Sequence, residues 1–391
     1  MTFEQIKKLD TSSAMPTYGR FDAAFDRGEG ATLWDVEGKK YIDFSSGIGV
    51  NSLGHRHPAW LAAVEGQLSR LAHTSNLYYN EATARLTDKL TSFCPQGSRV
   101  FMANSGAEAN EGMIKLARKY SFDRYGEGRN EIISLKGSFH GRTLTTLSAT
   151  GQDVFHQFFH PFTEGFVYAD ANMDSVESLV NERTCAVMFE TIQGEGGVIP
   201  LDEGFLSELW RFARERDILL LADEVQTGIG RTGSLFSFPE FPDVFSLAKG
   251  LGGGLPIGAV VATEKCAEVL GPSTHGSTFG GNPVAAAGAL AVLETVGNEE
   301  FLASVVKKGE YIRDGLKKRN LPVSEIRGRG LMLGIDIEGV EAKPLCAALL
   351  KNGLVSLTAK TSLRFLPPLV ISYEEIDEGL DILKSTLEEM K

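Results

Sequence analysis

Cysteine is scarce. The 391 residues hold four, Cys94, Cys185, Cys266 and Cys346, none in a CxxC pair, so neither a disulfide framework nor a thiolate metal or redox motif is legible. Long apolar runs are missing too: no stretch approaches the roughly 20 residues of a membrane helix. The first residues, MTFEQIKKLDTSS, lack the apolar run of a signal peptide. Runs of basic residues are absent, and Asp plus Glu exceed Lys plus Arg by 51 to 39, a formal charge of −12. That balance argues against a nucleic-acid or anionic-membrane partner. No HExxH occurs, the seven histidines are scattered, and His55 with His57 alone does not make a metal site. The expectation is a reduced, soluble, cytoplasmic protein with no metal.

Glycine, by contrast, is plentiful. Its 43 residues exceed the usual share of about 7% and lie in clusters, which suits loops where backbone approaches a ligand closely. The length is too great for one core, so two or three domains are expected. The stretch Ala31 to Phe44 reads as a hairpin, and Pro58 to Ala72 as a helix with Leu61, Val64, Leu68 and Leu71 on one side. Between about residues 99 and 262, six short apolar runs (RVFMA, EIISL, CAVMFE, ILLLADEV, DVFSLA, IGAVVA) alternate with helices such as Ala107 to Tyr120 and Gly204 to Arg216. Near-continuous apolar strands of this kind predict an α/β fold with a mainly parallel sheet covered on both faces. Beyond residue 285, charged helices flank a strand pair, the last helix opening on a capping box from Ser372 to Glu375. The expected division is an N-terminal segment, 1–50, packing with a small α+β domain, 285–391, around a large domain, 51–284.

In such sheets ligands bind beyond the carboxyl ends of the strands, so the residues following each run carry the weight. After RVFMA comes Asn104-Ser105-Gly106-Ala107, a turn into a helix whose free N–H groups suit a phosphate. For so short a motif alone, a plain helix cap is the favoured reading. After EIISL comes Ser138-Phe139-His140-Gly141-Arg142, where an aromatic and an arginine could hold a ring and a carboxylate, or form ordinary loop. Asp223 closes the run ILLLAD, where an ionised carboxylate needs a cationic partner. Lys249 ends another apolar run and precedes Gly250-Leu-Gly-Gly-Gly254, a poor setting for a solvated ammonium. A desolvated lysine has a lowered pKa and is a nucleophile toward aldehydes. Together these charges could also form a simple ion-pair network. Two motifs are decoys. Ser246-Leu-Ala-Lys249 has the S-x-x-K pattern, but no SDN or KTG partner exists. Gly228-Ile-Gly-Arg-Thr-Gly233 matches a dinucleotide fingerprint but precedes SLFSFPEFP, which cannot be the required helix.

Along essentially the whole chain the sequence resembles the class III (ω-amino acid) aminotransferases. The resemblance rests on LGH and HP (53 to 58), NSGAEAN (104 to 110), SFHGRT (138 to 143), FETIQGEGG (189 to 197), LADEVQTGIGRTG (221 to 233), AKGLGGGLPIGA (248 to 259) and GSTFGGNP (276 to 283). Within the family it is most similar to the branch acting on N-acetylornithine. The resemblance implies the fold type I architecture of pyridoxal 5′-phosphate (PLP) enzymes, with residues 51–284 as the PLP-binding domain. Lys249 would hold the cofactor as a Schiff base and shuttle a proton. Asp223 would pair with the ring nitrogen and keep it protonated. Phe139 and Val225 would cover the two ring faces, Gln226 would meet the ring hydroxyl, and Ser105, Gly106 and Ala107 would bind the phosphate. Thr278, with Ser277 beside it at the substrate, would arrive from the other subunit of a homodimer. Arg142 would clamp the α-carboxylate of acetylornithine and the side-chain carboxylate of glutamate. Arg364 would take the glutamate α-carboxylate, masked by Glu195 when the donor has none there. Tyr18 would line the substrate pocket, and Ile48 stands where ornithine-specific relatives carry a tyrosine. The implied substrates are acetylornithine and 2-oxoglutarate, giving glutamate. Ornithine, 4-aminobutyrate, succinylated donors, or a PLP-free scaffold are the alternatives.

Overall fold

The computed structural model describes residues 1–390. Its centre is a seven-stranded sheet in the order Arg99–Ala103, Gly258–Ala262, Val244–Leu247, Leu219–Asp223, Thr184–Phe189, Glu131–Leu135, Phe166–Ala169. All run parallel except Gly258–Ala262, which is antiparallel to both neighbours. The six apolar runs are six of these strands. The three central ones, Thr184–Phe189, Leu219–Asp223 and Val244–Leu247, are buried along their whole length, as a sheet covered on both faces requires.

The helix Gly106–Tyr125 packs against the strands Gly258–Ala262 and Val244–Leu247. Its first turn continues directly from Ala103, so its N-terminus opens at the carboxyl edge of the sheet. The helix Glu203–Glu215 turns Phe205, Leu206, Leu209, Trp210, Phe212 and Ala213 inward. This spacing of three and four is the apolar stripe that burial of one helix face demands.

Two further sheets flank this body. Phe25–Glu29, Thr32–Asp35 and Lys40–Asp43 form a meander whose last strand pairs in parallel with Leu354–Val355, so the first and last parts of the chain share a sheet. The other contains Val323–Arg329, Met332–Ile337, Ser362–Phe365 and Leu357–Ala359, placing Arg364 on an inner strand. The expected capping box is present: the Ser372 hydroxyl accepts from Glu375 N, and Glu375 Oε2 accepts from Ser372 N.

Two expectations need correction. The helix begun at Pro58 ends at Leu68, not Ala72, and Leu68 and Leu71 are exposed. Backbone bonds from Arg70 and Leu71 both fold back to Gln67 O, which closes the helix in a turn. The strand Phe166–Ala169 and the helices Phe3–Ser13, Glu81–Thr91 and Pro283–Val296 were not foreseen. Among the described residues no helix is long and apolar enough to cross a membrane, and no cluster could hold a metal.

Candidate active site

Five strands of the large sheet deliver their following residues to one edge, and a cavity of about 440 Å³ opens there. It is lined by Ser105, Gly106 and Ala107 after the first strand, Phe139 and Arg142 after Glu131–Leu135, and Glu190 after Thr184–Phe189. Asp223, Val225 and Gln226 follow the next strand, and Lys249 the strand Val244–Leu247. Glu195 and Arg364 complete the wall. Segments far apart in sequence converge because parallel strands all end on the same side.

Asp223 lies at the buried end of its strand. Its Oδ2 accepts from Asn110 Nδ2 at 2.7 Å and faces His140 Nδ1 at 2.8 Å, and its Oδ1 accepts from Val225 N at 3.0 Å. Among the described residues, no lysine or arginine forms a hydrogen bond or ion pair with it. Asn110 also donates to His140 O at 2.7 Å, so two side chains and one backbone N–H fix the carboxylate. Lys249 adopts a left-handed conformation, φ 42°, uncommon for a side-chain-bearing residue and a form of strain that clusters at functional sites. Its Nζ donates to Gln226 Oε1 at 2.7 Å. Burial, and secondarily the nearby Arg364 cation, lower its pKa to about 8. The amine is therefore far closer to its neutral, nucleophilic form than a surface lysine.

The two arginines of the cavity differ. Arg364 is fully buried; its Nη1 meets Glu195 Oε1 at 2.8 Å and its Nη2 donates to Gln226 Oε1 at 2.8 Å. Arg142 is exposed and has no hydrogen bond or ion pair among the described residues. Its guanidinium lies 4.4 Å from the Phe155 ring centroid and 5.4 Å from that of Phe139.

Ser105 caps the 20-residue helix Gly106–Tyr125, its hydroxyl accepting from Glu108 N at 3.2 Å. The plain helix cap foreseen as one alternative is thus present. A Cβ on Gly106 would stand 2.7 Å from Val225, so glycine lets Val225 close over the cup. Across the cavity, Ser46, Gly47, Ile48 and Gly49 are all left-handed. Ile48 O accepts from Gln226 Nε2 at 3.5 Å, while Ile48 itself does not line the cavity.

Three expected residues are not brought to this chain's cavity. Tyr18 is exposed, its ring carrying Arg20 at 5.7 Å, so its expected place in the pocket is not met within the single chain. Ser277 and Thr278 also lie outside the lining; Ser277 Oγ accepts from Asn104 and Gly280, and Thr278 faces solvent. Conversely, Asn110, His140 and Glu190 were missed. Glu190 is buried and accepts from Phe139 N at 2.9 Å and Gly194 N at 3.2 Å. Burial, with Asp223 nearby, raises its pKa to about 7. The signal for Glu190 was the one that found Asp223: a carboxylate at the end of a buried strand.

The residues fit pyridoxal phosphate. A long helix offers its N-terminal N–H groups to a phosphate, and Phe139 and Val225 both line the same cavity, where they could cover a ring. Asp223, buried without a lysine or arginine, matches a protonated ring nitrogen, and Lys249 supplies the amine.

Comparison with known proteins agrees. The family model described as Aminotransferase class-III matches residues 14–387. An acetylornithine aminotransferase of Haemophilus ducreyi is 50% identical over the full length of both chains. An ornithine aminotransferase structure from Toxoplasma gondii superposes with a TM-score of 0.94 at 32% identity, covering 100% of this chain and 97% of that one. The N-acetylornithine aminotransferase of Stenotrophomonas maltophilia gives 0.84 at 36% identity, covering 98% of each.

Proposed function

From the premise that this chain belongs to the class III aminotransferases and uses pyridoxal phosphate, we propose that it moves the terminal amine of N-acetylornithine to 2-oxoglutarate, releasing N-acetylglutamate semialdehyde and glutamate. The observation that carries the reading is the pair of unlike arginines beside Lys249: Arg142 open, Arg364 capped by Glu195. A donor with one carboxylate needs one clamp, and glutamate needs two. Arg142 serves both half-reactions; Glu195 releases Arg364 only when the glutamate α-carboxylate competes for it. The bound cofactor supplies the electron sink for the carbanion. Asp223 holds the proton on the ring nitrogen, and His140 and Asn110 hold Asp223. With the cofactor bound, Lys249 Nζ would take the proton from the amine-bearing carbon of the substrate and deliver it to the former aldehyde carbon of the cofactor.

The donor assignment is supported by the names of the curated relatives, 41–50% identical over nearly the whole chain. The resemblance adds Ile48, which stands where ornithine-specific relatives carry a tyrosine and would offer a charged α-amine no hydrogen bond, although its side chain lies outside this chain's cavity. The likeness in shape to the ornithine enzyme does not weigh against this, because a backbone superposition is blind to which side chains touch the donor. The proposed setting is the cytoplasm, consistent with four free thiols.

The working unit is proposed to be a homodimer with shared sites. Leu77, Tyr78, Tyr79 and Phe279 are exposed together with Thr278, and Asn76 Nδ2 bonds to Ser277 O and Gly280 O, joining the two segments. An apolar face of this kind is commonly an interface. The test of the donor is kcat/KM for acetylornithine, ornithine and 4-aminobutyrate at saturating 2-oxoglutarate. Acetylornithine should lead by at least about tenfold, roughly 1.4 kcal/mol in transition-state binding. A lead by either other donor overturns the assignment.

A further inference from the structure

An arginine that must bind a carboxylate in both half-reactions has a problem of its own. Its long side chain samples many rotamers, and fixing them on binding weakens affinity. A carboxylate partner would fix it but would occupy the donors, as Glu195 does for Arg364. Arg142 is held differently. Its guanidinium lies 4.4 Å from the Phe155 centroid and 5.4 Å from Phe139, and the two rings meet edge to face at 5.7 Å and 66°. An aromatic face attracts the cation while leaving its N–H fork free.

Phe155 is itself anchored on both sides. Its N–H bonds to Gln152 O at 3.1 Å, and Gln152 Nε2 donates to Ser138 O at 2.9 Å, tying this segment to the loop that carries Phe139. On the other side His156 Nε2 meets Leu147 O at 2.9 Å, in the helix Leu144–Ala149 that begins two residues after Arg142. Phe155 does not line the cavity, so it acts on the site through the two lining residues that it touches, Arg142 and Phe139.

We propose that Phe155 is the positioning residue of the carboxylate clamp, holding Arg142 open through a ring face where Glu195 holds Arg364 shut. The inference rests on the proposed function for the identity of the donor, and on the family reaction alone for glutamate.

The experiment compares Phe155→Ala, Phe155→Leu and Phe155→Tyr holoenzymes, each with its cofactor absorbance verified. The half-reactions measured are those with acetylornithine, glutamate and N-acetylputrescine, which is the same donor without its carboxylate. Spectral titration with unreactive glutarate adds a binding readout. Phe155→Ala and Phe155→Leu should each raise KM for acetylornithine and glutamate, and Kd for glutarate, by about fivefold, the scale of one cation–π contact. Their kcat values should stay within about twofold of the parent. Phe155→Tyr should match the parent, and N-acetylputrescine turnover should be unchanged throughout. Parent-like behaviour of Phe155→Leu would reduce the ring to packing and overturn the proposal. So would an equal loss with all three substrates. If acetylornithine proves not to be the preferred donor, the functional reading fails, while the glutamate and glutarate arms still decide the role of Phe155.

Discussion

Glu224 follows Asp223 in sequence yet bonds elsewhere: its carboxylate accepts from Ser237 N at 2.9 Å and from the Ser237 hydroxyl. Burial pushes its pKa up to about 7, against the bonds from Ser237 that favour the charged form. The consequence for stability follows from linkage. Below pH 4.5 both folded and unfolded chains hold the proton. Between pH 4.5 and about 7 the unfolded chain has lost it and the folded chain keeps it, so stability falls as pH rises through that window. Glu190 acts in the same sense. Glu224→Gln removes one of the two slopes. Urea unfolding of holoenzyme at pH 5 and pH 7, at fixed protein concentration, should therefore show a loss smaller by a few kcal/mol in the variant than in the parent. An identical loss in both would mean that Glu224 is charged in the folded protein. At this scale Lys249 and Asp223 were legible because each ends an apolar run, where a charge needs a reason. His140 and Asn110 were not, since their meaning lies in a carboxylate 83 and 113 residues away. Phe155 was illegible for the same reason.

Elements were legible wherever burial on both faces left an unbroken apolar run. The strand Phe166–Ala169 was passed over although its four residues, FVYA, are all apolar; it sits at the sheet edge and only Ala169 is fully buried. The antiparallel direction of Gly258–Ala262 was invisible, because direction is set by where the chain enters the sheet and not by side-chain pattern. That strand carries a testable constraint. Gly258 pairs with Ala103, and a Cβ there would stand 2.3 Å from Ser105 O and 2.9 Å from Ser105 C. These are backbone atoms of the proposed phosphate cup and have no rotamer with which to yield. Gly258→Ala should shift the turn Asn104–Gly106 and destabilise the fold by about 1–3 kcal/mol, the usual range for overpacking. It should also weaken cofactor binding at least severalfold in reconstitution of apoenzyme. Parent values for both Tm and cofactor Kd would show that the strand slides freely past the cup.

For the whole molecule, the proposed shared site implies that one chain alone leaves the site unfinished. The proposed phosphate cup has Ser105, Gly106 and Ala107 in the cavity lining, whereas Thr278, expected at the same phosphate, lies outside it, with Phe279 and Tyr79 exposed nearby. Sequence could not separate a residue of this chain's own site from one lent to a neighbour, because both leave the same motif. The resemblance alone suggested lending, and a symmetric dimer makes that a quantitative claim. Lys249→Ala protomers keep Thr278 but lack the amine. Thr278→Asp protomers keep Lys249 but place a carboxylate against a phosphate, where like charges repel. Each homodimer should be nearly inactive. In a heterodimer, one site combines both intact residues and the other combines both defects. Equal mixing yields heterodimers in half of all pairs, each with one working site of two, so activity should recover to about a quarter of the parent. The check is to exchange differently tagged subunits, isolate the doubly tagged dimer, and assay it against both parents. An inactive doubly tagged dimer would place Thr278 at its own chain's phosphate. A fully active Thr278→Asp homodimer would remove it from the site altogether, and a fully active monomer in sedimentation would end the shared-site proposal.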